Sequence, residues 1–109
     1  MGNLKAAMEG YMKVLNGDPR NADALYYVAV VAVQEGQYAE GIKLAERALA
    51  SGSQQARLHN LMGQTYLRLG QEQEALTSFD HAIELQPDFA DAHGNRGNVL
   101  VIFGRFNEA

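Results

Sequence analysis

The sequence predicts an all-α fold, an α-α superhelix (solenoid) of antiparallel helix pairs built from two full and two partial 34-residue repeats. Three observations carry this expectation. Gly2, Gly36, Gly70 and Gly104 stand 34 residues apart, and a period of that size marks stacked helix–turn–helix units, each too small to bury its apolar face alone. Residues of matching size recur at fixed distances from those glycines. Within each unit the apolar side chains fall three, four and seven residues apart, as in His59, Met62, Gly63 and Tyr66 and then Ala75, Phe79 and Ala82. That spacing is one face of a helix.

The elements follow from the register. A turn glycine suits a left-handed residue closing a helix, where a Cβ would be strained. Seven residues before the turn come Ala29, Gly63 and Gly97, and five after it come Ala7, Gly41, Ala75 and Ala109. Such small residues let two helix backbones approach, while Tyr66 and Phe79 fill the space between neighbouring pairs. Pro19 and Pro87 fall 17 residues after their glycines, where a proline ends one helix and sets up the next. Ser53 holds that place in the second unit, inside the turn-like stretch 50–55. The predicted helices are 3–16, 22–35, 38–51, 55–69, 72–85 and 89–103. The run Val28 to Val33 favours a strand by β-propensity alone, but the register makes it helix.

The repeats divide as 1–21 (partial), 22–55, 56–89 and 90–109 (partial), together one domain. The incomplete outer units lack the polar capping helices that solenoids use, so the chain is expected to be a fragment of a longer array.

With 109 residues and 47% hydrophobic content, the chain can bury a small core. A net charge of −4, with nine basic residues spread along the chain, leaves no cationic patch for nucleic acid. The absence of cysteine excludes disulfides, thiolate nucleophiles and Cys-ligated metals. The longest apolar run, Ala24 to Val33, has ten residues, half of the ~20 that span a bilayer, so no membrane role is expected. The opening residues lack the apolar core of an export signal, and the expected location is the cytoplasm.

No catalytic, metal or cofactor site emerges, and the chain is not expected to be an enzyme. His59 and His93 lie one repeat apart, but both occupy an inter-helix packing position, with no third ligand in register. His81, near Asp80 and Glu84, reads as part of a solvated surface pairing.

The third unit reads His59-x2-Met62-Gly63-x2-Tyr66, then Ala75-x3-Phe79, Ala82 and Pro87. It resembles the tetratricopeptide repeat, with His in place of the usual Trp and Met in place of Leu. The resemblance covers the whole chain. The second unit departs more, with Leu25, Val28, Ala29, Ala32, Gly41 and Ala45, so its packing should use smaller residues.

The resemblance implies a protein-interaction scaffold whose first helices line a concave groove that takes a peptide or partner helix. The family's groove positions fall on Asp23, Tyr26, Tyr27, Val30, Val33 and Gln34 in the second unit. They fall on Arg57, Asn60, Leu61, Gln64, Leu67 and Arg68 in the third, and on Asp91, Gly94, Asn95, Asn98, Val101 and Ile102 in the fourth. The Lys, Asn and Arg set that holds chaperone C-terminal carboxylates is absent, because Tyr26, Val30, Leu61 and Asp91 stand in its places and Asn95 alone matches.

The stretch Ala92-His93-Gly94-Asn95-Arg96-Gly97-Asn98 is similar to the repeats ahead of the O-linked N-acetylglucosamine transferase catalytic domain. There, stacked Asn side chains form a ladder, of which Asn95 alone holds a rung here. The alternative expectation is therefore the substrate-docking repeat region of a larger enzyme of that kind. The incomplete ends leave Leu4, Met8, Tyr11 and Leu15 at one side and Val99, Leu100, Phe103 and Phe106 at the other short of partners. Copies are accordingly expected to associate through the terminal helices as a homo-oligomer.

Overall fold

The computed structural model describes residues 2–52 and 55–108, and the side-chain surroundings of residues 6, 8–52, 55–102 and 104. All regular structure among them is helical. The helices are α1 (Gly2–Gly17), α2 (Ala22–Gln34), α3 (Tyr38–Ala50), α4 (Ala56–Arg68), α5 (Glu72–Leu85) and α6 (Ala90–Glu108). They form two compact units, residues 1–54 and 55–109. Among the described residues no helix is long and apolar enough to cross a membrane.

In the first unit α2 starts where Asn21 accepts the Ala24 N–H on its side-chain oxygen at 3.0 Å, satisfying one of the free donors of a helix start. It ends at Gly36, whose φ of +82° is the left-handed conformation that a turn glycine supplies. There the Gly36 and Gln37 N–H groups return to the Val33 and Ala32 carbonyls at 3.0 and 2.8 Å. This double closure reverses the chain and lays α3 back along α2. The run Val28 to Val33 is helical throughout. Small residues make the crossing close: Ala29, Ala45 and Ala48 are fully buried, and a Cβ on Gly41 would stand 2.5 Å from Val33 Cγ2. Helix α1 packs on α2 without a close approach to α3.

The second unit repeats the device at Gly70 (φ +76°), where Gln71 N–H reaches Tyr66 O at 2.9 Å. Here the crossing pairs small with large. The fully buried Phe79 ring lies against Gly63, so that a Cβ there would fall 2.5 Å from Phe79 Cε1. Phe79 also packs with Ala75 and Val99, flanked by Tyr66, Leu67 and Leu76. Nearer the Pro87 turn, Ala56, Ala82 and Ala92 form a second cluster with Ile83 and Phe89.

The largest departure from expectation is Gly104, which lies inside α6 instead of turning the chain. A left-handed turn is rewarded by packing of the helix that follows it. At Gly104 the backbone keeps instead to the hydrogen-bond ladder of α6. Conversely Gly52 (φ +96°) closes α3, its N–H reaching Leu49 O at 3.0 Å, although the 34-residue register does not mark it. The expectations for Ser53 and Ala109 lie outside the described residues.

Candidate functional site

The predicted binding face of the first unit falls on the side of α2 that the core leaves open. Asp23 and Tyr27 are exposed and Tyr26 and Val30 are half-buried, whereas Ala24, Leu25, Val28, Ala29, Val31 and Ala32 are buried; Val33, expected on this face, turns instead to Gly41 of α3 at the crossing. Tyr26 and Tyr27 meet edge to face with centroids 5.1 Å apart, and Tyr11 of α1 stacks on Tyr27 at 5.1 Å and 11°. The face is therefore a three-tyrosine cluster. Aromatic pairs of this geometry are held in place beyond their area burial, which gives a rigid, amphipathic surface at low entropic cost. Tyr11 belongs here rather than to a bare end. The signal was its register with Phe79, which marks it as a ring aimed at the neighbouring helix.

In the second unit the predicted face is partly closed. Gln64 and Arg68 on α4 and Asn98 on α6 are exposed, Val101 is 55% exposed, and Leu67 and Arg57 are half-buried. Asn60 and Leu61, however, are only 8% and 7% exposed. Asn60 is committed internally: its Oδ1 accepts the Asn95 Nδ2–H at 3.1 Å, so α6 covers this part of α4. A one-rung amide ladder thus exists, formed between residues 35 apart rather than one repeat apart. A strict register cannot find that offset. Arg57 is likewise tethered, with Nε donating to Gln55 Oε1 at 2.7 Å. Beyond the predicted set, Arg96 Nε donates to Asp80 Oδ1 at 2.6 Å, joining α6 to α5.

The residues assigned to self-association divide differently. Leu15 and Val99 are already buried, Val99 against Phe79 and Ala75, because α1 and α6 spend their apolar stripes on their own units. Met8 and Tyr11 are half-buried and Leu100 is 43% exposed. The side chains of Leu4, Phe103 and Phe106 lie outside those described.

The histidines also rearrange. His59 pairs with His81, ring edge to face at 5.1 Å and 85°, so His81 faces the hairpin partner while Asp80 is taken by Arg96. Burial, and secondly the proximity of His81, lower the His59 pKa below its ordinary 6.5. His93 is exposed rather than packed, and its Nε2–H donates to the Pro87 carbonyl at 2.7 Å. Among the described residues no three His, Asp or Glu side chains converge as metal ligands.

Two family models match the chain, one described as "Anaphase-promoting complex, cyclosome, subunit 3" over residues 1–82 and one as "Tetratricopeptide repeat" over residues 60–109. Among curated proteins the chain is similar to the Protein O-mannosyl-transferase tmtc2 of Xenopus laevis, 31% identical over 76% of this chain and 10% of that protein. The chain spans about a tenth of the length of the curated relatives it matches. Among solved structures it is similar to an O-GlcNAc transferase mutant of Thermobaculum terrenum, with TM-score 0.85 and 30% identity over 91% of this chain and 19% of that one. It is also similar to YrrB, described as a TPR protein with an unusual peptide-binding site, with TM-score 0.80 and 29% identity over 98% of this chain and 55% of that one. The six helices, the left-handed glycine turns and these matches agree: the chain belongs to the tetratricopeptide repeat family.

Proposed function

We propose that the first-helix faces of this repeat scaffold bind a peptide or partner helix. Each unit is read by itself: the first offers the Tyr11–Tyr27–Tyr26 surface, and the second offers Gln64, Arg68 and Asn98 beside the Asn60–Asn95 pair. The observation that carries the reading is Tyr27. It is a large ring left 38% exposed yet locked between two other rings, which suits a contact anchor. The peptide-binding description of the similar YrrB structure supports the same class of ligand. A peptide array probed with the folded chain supplies the ligand for the test. Tyr27→Ala should weaken a peptide held by the first unit, and Asn95→Ala one held by the second, about tenfold or more, with helicity unchanged. Unchanged affinity in both variants would move the site elsewhere.

A second reading, that these repeats form the docking segment of a larger transferase, is supported by the similarity to two transferases of which the chain covers only 10% and 19%. The encoding reading frame decides it, since continuation into a catalytic domain favours this reading and further repeats or a stop oppose it. Self-association retains Leu100 as its exposed contact. A constant monomer mass in light scattering over a concentration series would remove it.

A further inference from the structure

A cavity of about 880 Å³ opens in the first unit between α1 and α3, with α2 as its floor. Its walls are apolar, with Met8, Met12 and Leu15 from α1, Val28 and Val31 from α2, and Leu44 from α3. The α1 residues stand at i, i+4 and i+7, one helix stripe. Met12 keeps 45% of its surface exposed at the mouth, while Leu15 and Leu44 are buried deeper. At about 100° per residue, Val28 and Val31 lie on the side of α2 away from Tyr26, Val30 and Val33. Tyr27 lies one turn before Val31 and about 40° from it, so the tyrosine stack borders the cavity, although none of the three tyrosines lines it. Its volume falls within the roughly 300–1,000 Å³ of ordinary ligand sites.

The rim carries the information about what fits. Glu35 and Glu40 are exposed beside the cavity, and neither makes an ion pair among the described residues. The cation on the lining, Arg47, is turned to the α1–α2 loop, where Nη2 donates to the Pro19 carbonyl at 3.2 Å. An apolar floor under two unanswered carboxylates favours an occupant with an apolar body and a positive charge at its edge. A peptide entering an apolar cavity must also satisfy its own amides. No strand edge is available among the described residues to pair with an extended one, so a helix is the form that fits. Two flexible methionines on one wall suit such a ridge, because they repack around it.

We propose that this cavity docks a basic amphipathic helix of a partner protein. Its Leu- or Ile-sized side chains enter between α1 and α3, and a Lys or Arg meets Glu35 and Glu40.

The test uses the full chain with 13C-methyl-labelled methionine and the peptide LKKLLKLLKKLLKL as probe, with LEELLELLEELLEL as the charge control. The Met8 and Met12 methyl signals should shift saturably with the Lys peptide, while that of Met62, buried in the second unit, stays fixed. The pair Glu35→Lys with Glu40→Lys should weaken binding about tenfold, and Met12→Glu should abolish it. All three positions are exposed, and circular dichroism checks that the variants fold. Asn95→Ala, on α6 of the second unit, should leave this binding unchanged.

Several results would overturn the proposal. One is equal binding of the Glu peptide or indifference to charge reversal. Another is shifts that include Met62, or the absence of any shift up to about 1 mM Lys peptide. Methyl shifts driven by protein concentration alone would assign the cavity to a second copy, and methyl shifts caused by dodecanoate without any peptide effect would assign it to a small apolar ligand.

Discussion

In the second unit a glycine on the first helix of the hairpin, Gly63, receives a phenyl ring from the second helix; in the first unit the glycine is Gly41, on the second helix, and it receives a valine from the first. Both crossings leave no room for a Cβ, but they reach closeness by opposite assignments of small and large. The repeat period therefore dictates where two helices meet and leaves open which of them supplies the bulk. The consequences differ. The first crossing is tiled by alanines, each contributing little, whereas the second concentrates its burial in one ring. The surroundings differ too: the first unit has a tyrosine stack and an apolar cavity. The second has an amide pair, an ion pair and all three of the chain's histidines.

The largest test of this contrast removes the ring. Phe79→Ala should cost about 3–5 kcal/mol, read as a lowered urea midpoint, while Val33→Ala, at a half-buried site, should cost roughly 1 kcal/mol. Equal losses would mean that the two crossings carry equal weight after all.

The next test fills the glycines. Gly63→Ala should destabilise by about 1–2 kcal/mol, because overpacking a fully buried ring outweighs the helix-propensity gain of up to ~1 kcal/mol. Gly41→Ala meets a half-buried valine at the same distance and should fall within about 1 kcal/mol of neutral. Adding Phe79→Leu should recover part of the Gly63→Ala loss and none of the Gly41→Ala effect, which a double-mutant cycle measures.

A smaller effect concerns pH. Folding lowers the His59 pKa, chiefly through burial and then through His81, so the folded state favours the neutral ring. That contribution is whole above the ordinary value of 6.5 and is lost as pH falls from there through the folded-state pKa. Amide protection factors in α4 and α5 should fall over that window and those in α2 and α3 should not, since the first unit has no histidine. NMR titration should show His81→Gln moving the His59 pKa upward.

The smallest effect belongs to the Asp80–Arg96 pair, whose side chains are 44% and 41% exposed. Arg96→Gln should cost under ~1 kcal/mol, and the cost should shrink further in high salt.

The exposure pattern of the candidate face was largely legible on α2 and little of it on α4. Helix phase alone separates Asp23, Tyr26 and Tyr27 from the buried Leu25, Val28 and Ala29, because α2 meets its partners on one side. The same phase put Asn60 and Leu61 on an open face, and the arrival of α6 closed over Asn60. Leu15 and Val99 were read as unsatisfied for the converse reason, since their covering partners are distant in sequence.

The sequence by itself determined what is local. Apolar spacing set the six helices, and a residue without a Cβ was needed for left-handed φ at Gly36 and Gly70. Those are backbone and periodicity effects, carried by a few neighbouring residues. Only the tertiary structure decided that Gly104 stays helical, that His59 faces His81, that Asn95 bonds Asn60, and that a cavity remains between α1 and α3. Each of these depends on whether a second helix is present to cover a surface. That is a property of packing between elements, which no single period records.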